Sequence, residues 1–299
     1  MSSTSTITGT RLGFSGDFRR RLTYVVTFVT SIPVSVYVAA FILGGFVLAA
    51  LAPGVLRTHD PFRTDLFSTL QAPSLSHIFG TDQSGRDVFS RVVQGTAQSM
   101  AIGVGATTLS MSIALTLGIA AGLGGRMADS LISRFLEVMF AFPNLFLALL
   151  FVTIFDATTA TLIVAVGVGT APGYARMIRG QFLAVRRAGY VEAATALGHS
   201  WQRIVRQHIF PNAMRPLVVM ITLGLGQSIV WASGLAFLGL GVAPPSPEWG
   251  ALLDAGRDYV VNAWWLEVMP GFAIIVFALS VTVIGQHLQD RLEGRFHPV

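Results

Sequence analysis

Six long apolar blocks separated by polar breaks organise this chain: residues 34–52, 97–122, 135–155, 158–175, 217–238 and 268–286. A helix needs about 20 mostly apolar residues to cross ~30 Å of hydrocarbon, so each block is expected to span a membrane. The fourth is the shortest and ends in the run GTAPG. The expected fold is therefore all-α, a polytopic membrane protein of six transmembrane helices. The first block, 34–52, is long, follows arginines and lacks a small-residue cleavage site, so it reads as a retained anchor helix rather than a cleaved signal.

The polar breaks set the remaining organisation. An N-terminal segment, 1–33, begins with ten Ser/Thr-rich residues expected to be disordered. Segment 53–96 follows the first span, and 97–299 forms a core with the other five. Within that core lie a polar loop at 186–212 and a second polar segment at 239–267. Segments 53–96 and 239–267 are too polar to span and too long to be turns, so short helices packed on the outer face are expected there. Small residues recur inside the spans, with Gly118 and Gly122 in G-x-x-x-G spacing, a pattern that lets helix backbones approach closely in lipid.

One polar stretch lies between two apolar blocks: YVEAATALGHSWQRIVRQHIFPN, residues 190–212. Residues 188–197 are good helix formers and Gly198 interrupts them. Ser200 can cap a second short helix over 201–208, and Pro211 is expected to end it. Ala193 and Ala194 carry little bulk, Glu192 and Arg203 offer charges, and Trp201, Ile204 and Val205 an apolar anchor. Such a kinked pair of helices suits a socket on a partner protein. An amphipathic helix lying on lipid is the alternative, and docking is the preferred reading.

Composition agrees with lipid as the main solvent. Residues are 53% hydrophobic and 12% charged, about half the roughly 25% charged usual in soluble domains. There is no cysteine, which excludes disulfides and thiolate metal sites. All 20 basic residues are arginine. A phosphate-binding P-loop requires a lysine, so this chain cannot build one. The arginines stand at span ends instead of clustering, which argues against nucleic acid. With the N-terminus cytoplasmic, 15 of the 20 fall on the cytoplasmic side, leaving Arg57, Arg63, Arg86, Arg91 and Arg257 outside. That bias follows the positive-inside rule, and six spans place both termini and loop 186–212 in the cytoplasm.

Catalytic chemistry finds little support. Neither G-x-S-x-G, H-E-x-x-H nor G-x-G-x-x-G occurs, and the six histidines show no i,i+4 pairing, which argues against a metal site. Coupled carriers keep ionisable groups within the membrane. Here only Glu137 lies inside a proposed span, and Arg134 three residues earlier offers it a local ion pair. Asp156 falls at the turn between the third and fourth spans.

EAATALG, followed by Pro211 thirteen residues after Gly198, resembles the EAA loop of ABC-importer permeases. His208 and Phe210 stand where the general motif has Ile and Leu, close to the peptide-permease form HILPN. FGTDQSGRDVFSRVVQG, residues 79–95, and LAFLGLGVAPPSPEWGALL, residues 235–253, are similar to stretches of the C-type permease subunits of dipeptide and oligopeptide importers. YARMIRGQFLAVRRAGYVEAA and MPGFAI agree as well, so the likeness runs from about residue 60 to residue 292.

The resemblance implies an ABC-importer permease fold. It also implies partners: a second homologous permease, cytoplasmic ABC ATPase subunits and an extracytoplasmic substrate-binding protein, with membrane lipid around the spans. ATP and Mg2+ would be bound by the ATPase subunits; no cofactor is expected in this chain, which is not itself an enzyme. Carried over by residue, Glu192, Ala193, Ala194, Gly198 and Pro211 form the ATPase-coupling set, to which geometry adds Trp201 and Arg203. Pro244, Pro245, Pro247, Trp249 and Gly250 would face the binding protein.

Departures stand beside the likeness. Ala232 and Ala236 replace a usual Glu and Ser, and Thr282, Gln286, Gln289, Glu293 and Gly294 replace family residues in the tail. Importers of nickel and other small solutes use similar permeases. A self-sufficient channel or secondary carrier, and a scaffold recruiting a signalling protein, are the readings from other classes.

Overall fold

A computed structural model of the chain describes residues 32–292. The N-terminal arginines and Ser/Thr-rich stretch, and Glu293 and Gly294 of the tail, lie outside the described residues.

The apolar blocks become helices. Helix α1, Val34–Leu51, exposes most of its apolar surface, as a helix facing lipid does. Helix α2, Val88–Leu123, begins nine residues before the apolar block that announces it. Its start is fixed by Asp87, whose carboxylate accepts the Ser90 N–H at 2.8 Å and so satisfies an end-of-helix donor. The expected third span is broken into α3, Gly125–Ala141, and α4, Asn144–Phe155. The two axes bend by 83°. Pro143 forces the residue before it, Phe142, into an extended conformation, which no helix can continue through.

Helix α5, Thr159–Arg186, runs well past residue 175, with Thr158 capping it through the Thr161 N–H. Helix α6, Gly189–Ala196, is followed by α7, Trp201–Leu240, which has π-helical turns at Val205–Ile209 and Ala236–Leu240. Helices α8, Trp249–Gly256, and α9, Trp265–Leu292, complete the described residues. Five helices are long and apolar enough to cross a membrane, and the bent α3–α4 pair allows a sixth. Segment 53–87 is largely irregular, with one turn of helix at Pro53–Leu56 and one 3-10 turn at Leu66–Ser68.

Packing is organised along α2 and α5. At one end of α2, Val88 and Val92 meet Trp249, Trp265 and Phe277. Midway, Ile102 and Ala106 meet Leu162 and Val166. At the far end, Ala114 lies with Ile178, Phe182, Val191, Ile204 and Ile209. The G-x-x-x-G pair sets the approach of the two helices. A Cβ on Gly118 would lie 2.7 Å from Ile178 Cγ2 and 2.9 Å from the Ala175 carbonyl. One on Gly122 would lie 2.6 Å from Phe182 Cβ. Gly118→Val is therefore expected to lower stability by about 1–3 kcal/mol through overpacking, seen as earlier thermal aggregation in detergent. An unchanged transition would mean that the helices can part without loss.

The few charges are settled locally. Arg134 donates to Glu137 at 3.1 Å, the pair expected from their spacing. Arg179 Nη2 donates to Asp129 Oδ2 at 2.9 Å and ties α5 to α3. Asp156 ends α4 in the left-handed region, φ 62°.

Candidate coupling turn and the loop at the opposite end

At the far end of α2 and α5 the chain reverses. Ala188 is extended, α6 makes two turns, and Gly198 stops it at φ +78°. The His199 N–H donates to the Ala194 carbonyl at 3.2 Å and the Gly198 N–H to Thr195 at 3.0 Å. These are the paired bonds of a Schellman C-cap, which needs a left-handed residue where Gly198 stands. Ser200 is extended, as an N-cap should be, but its side chain makes no capping bond.

Pro211 does not end the following helix. It lies in the first turn of the long segment Phe210–Leu235, where its missing N–H is tolerated. The ladder widens just before it, and the Phe210 N–H donates to Val205 five residues back. The wider π-turn carries the chain past a ring that would crowd a regular α-turn. Asn212 Nδ2 supplies a donor to the His208 carbonyl at 2.7 Å. A π-turn preceding proline has no signature in hydrophobic periodicity, so the segment reads as a stop from sequence.

The turn has an inward and an outward face. Val191, Ala194, Ile204 and Ile209 are buried against Phe182 and Val185 of α5. Ala194 and Ile204, expected to serve a partner, instead fix the turn to the bundle. Glu192, Ala193, Gly198, Trp201, Arg203 and Pro211 are exposed. A Cβ on Gly198 would meet nothing within 4 Å. The Trp201 ring lies 5.2 Å from the Arg186 guanidinium, within cation–π range. Arg203 Nε donates to Gln207 Oε1 at 3.0 Å, while Glu192 makes no ion pair among the described residues. Tyr190 and Leu197 add exposed apolar surface beside it.

At the opposite end, the segment between α7 and α9 folds back onto α2. Glu248 is 1% exposed and caps α8, accepting the Gly250 N–H at 3.0 Å, the Ala251 N–H at 2.9 Å and the Ser99 hydroxyl at 3.2 Å. Burial pushes its carboxyl above the usual glutamate range, and the three donors offset this only in part. The Trp249 indole, fully buried, donates to the Val92 carbonyl at 2.9 Å. Arg91, also buried, reaches the carbonyls of Pro61, Pro245 and Ser246 and lies 3.6 Å from Asp82. Of the five residues expected to face a binding protein, Pro244 and Pro245 are exposed. Pro247, Trp249 and Gly250 are buried, because they pin the loop to α2 and α7.

Between these ends a cleft of about 230 Å³ opens on the side of the bundle, lined by Met139, Phe140, Thr170, Tyr174, Gln227 and Trp231 among others. The Tyr174 hydroxyl donates to Gln227 Oε1 at 3.4 Å. Neither residue stood out in the sequence. An exposed amide within a long apolar helix is the signal that could have found Gln227.

Residues 114–297 match the family described as "Binding-protein-dependent transport system inner membrane component". The chain is 37% identical over 258 residues to the dipeptide transport system permease protein DppC of Alkalihalophilus pseudofirmus, covering 86% of this chain and 85% of that one. It is 36% identical over 263 residues to the probable D,D-dipeptide transport system permease protein DdpC of Escherichia coli, with 88% of each covered. Over 225 residues it is 38% identical to the glutathione transport system permease protein GsiD of Pectobacterium atrosepticum, with 75% of each covered. In fold it is similar to an inward-facing MetNI methionine ABC transporter, with a TM-score of 0.58, 18% identity, and coverage of 68% of this chain and 96% of that one. The bundle, its bent third span and these likenesses agree, and the chain belongs to the family of binding-protein-dependent transport system inner membrane components.

Proposed function

We propose that this chain is a permease subunit of an ABC importer for di- or oligopeptides, driven through the turn at 186–212 by a cytoplasmic ATPase. The observation that carries the coupling role is the division of that turn: Val191, Ala194, Ile204 and Ile209 lock it to α5, while Glu192, Ala193 and Gly198 face outward. A surface held rigidly from behind can transmit a push. The relatives' names support peptides as the cargo. The cleft beside Tyr174 and Gln227 suits them, since an amide and a phenol can bond a peptide backbone without demanding a charge.

ATP and Mg2+ belong to the partner subunits, because no lysine is present to build a P-loop. A second permease completes the path, and an extracytoplasmic binding protein delivers cargo at the Pro244–Pro245 end. The arginine bias supports a cytoplasmic location for both termini and the turn. The test is uptake by the complete transporter reconstituted in liposomes. Glu192→Ala should reduce ATP-driven peptide uptake by about tenfold or more, the cost of losing ~1.4 kcal/mol of docking, with assembly of the permease pair unchanged. Full uptake by the variant would remove Glu192 from the coupling contact. Peptide flux without any ATPase present would instead favour a self-sufficient carrier.

A further inference from the structure

Segment 53–87 brings together three side chains that the importer reading does not use. His59, His77 and Asp87 each present one ligand atom, and these atoms all lie within 4.8 Å of one another. His77 Nδ1 is 2.9 Å from Asp87 Oδ1, and His59 Nδ1 is 3.8 Å from the same oxygen. The two imidazoles lie side by side, with centroids 4.8 Å apart and planes inclined by 31°. The i,i+4 test for histidine pairs sees only ligands on one helix; these come from an irregular segment and from the residue that caps α2.

We propose that His59, His77 and Asp87 form a binding site for a borderline divalent transition metal, Zn2+ being the representative ion. Two neutral imidazole nitrogens and one carboxylate oxygen are a donor set that such ions favour over Mg2+ or Ca2+. Zn–N and Zn–O bonds of about 2.0–2.2 Å place tetrahedral ligands roughly 3.3 Å apart, and the observed 2.9 Å and 3.8 Å bracket that spacing. The His59 and His77 nitrogens lie within 4.8 Å of each other, so closing the set draws the two rings together.

The surroundings suit the task. Asp87 is buried and its other oxygen is held by the Ser90 N–H at 2.8 Å, so the carboxylate is already oriented. The backbone N–H of His59 donates to the Ser90 hydroxyl at 2.9 Å, fixing that part of the segment against the start of α2. The Thr58 hydroxyl lies 3.0 Å from His59 Nδ1 and 3.4 Å from Asp87 Oδ2. The His59 side chain is 44% exposed, which leaves one side of the set open to water. On binding, the ion takes the lone pair of His77 Nδ1. Binding therefore displaces any proton carried by that nitrogen. The ion then ties residues 59 and 77 to α2, a staple for a segment with almost no regular structure.

The experiment titrates Zn2+ into the purified full-length chain in detergent, with its affinity tag removed, by calorimetry. One equivalent should bind with micromolar or tighter affinity. His59→Ala and His77→Ala should each weaken binding at least tenfold. His59 is half exposed and outside the core, so His59→Ala keeps the fold and guards against a mere folding defect. Zn2+ should also slow tryptic cleavage at Arg57 and Arg63 in the wild type and not in His59→Ala. No stoichiometric binding at micromolar Zn2+, or undiminished binding by the double variant, overturns the site.

Discussion

Glu248→Ala is expected to cost about 3 kcal/mol of stability, because it orphans the Gly250 N–H, the Ala251 N–H and the Ser99 hydroxyl in a buried place. The loss of an N-cap alone costs about 1 kcal/mol, and the remainder comes from donors that water cannot reach. The measurement is thermal unfolding in detergent followed by Trp fluorescence, since Trp249 sits directly beyond the cap. Glu248→Gln keeps one acceptor oxygen and should lose less. The pH dependence has a definite sign. The folded carboxyl titrates above the unfolded one, so its contribution is full at low pH and fades as pH climbs through the raised value. The stability gap between wild type and Glu248→Gln should narrow accordingly. A gap that widens with pH would mean that the carboxylate, not the acid, is the form the fold prefers.

The second large effect concerns Gly198, whose two possible roles give different orders of variants. If only its backbone matters, Asn should serve almost as well as Gly, since Asn tolerates the left-handed conformation better than most residues. Ala should then cost about 1 kcal/mol and Val more. If the face is pressed against another protein, any added side chain intrudes. The open space within 4 Å of a Cβ here means that no atom of this chain would clash with it, leaving only the backbone strain at φ +78°. Expected, then, are Gly198→Asn and Gly198→Asp proteins that melt close to wild type yet lose tenfold or more of their ATP-driven uptake, as overpacking costs of about 1–3 kcal/mol imply. Wild-type transport by Gly198→Asn would reduce the glycine to a turn former.

What could be read in advance follows the range of the forces involved. The apolar blocks report solvation by lipid, a local property, so five of them appear as long helices. The turn around Gly198 was legible because a helix stop is written in neighbouring residues. The start of α2 was not, since Arg91 and Gln94 look too polar for a helix interior. Arg91 is accepted there because carbonyls about 30 and 155 residues away in sequence receive its guanidinium. Trp249 and Pro247 looked like surface for a partner for the same reason: their burial depends on α2. Pro143 lies inside an apolar run whose hydropathy hides the break, although the rule for the residue before proline predicts it.

The 40 residues of α7 run from the turn at 186–212 to the loop before Glu248, with a π-turn near each end and a kink at Gly239, φ 79°. At about 1.5 Å per residue that is a rod of roughly 60 Å. Its middle resists bending through its ladder of bonds, with one donor missing at Pro216, whereas the widened turns are where that ladder changes register. A force applied at Trp201 therefore reaches Gly239 as displacement and rotation of a shaft whose compliance lies at the π-turn before Pro211, at Pro216 and at Gly239 itself.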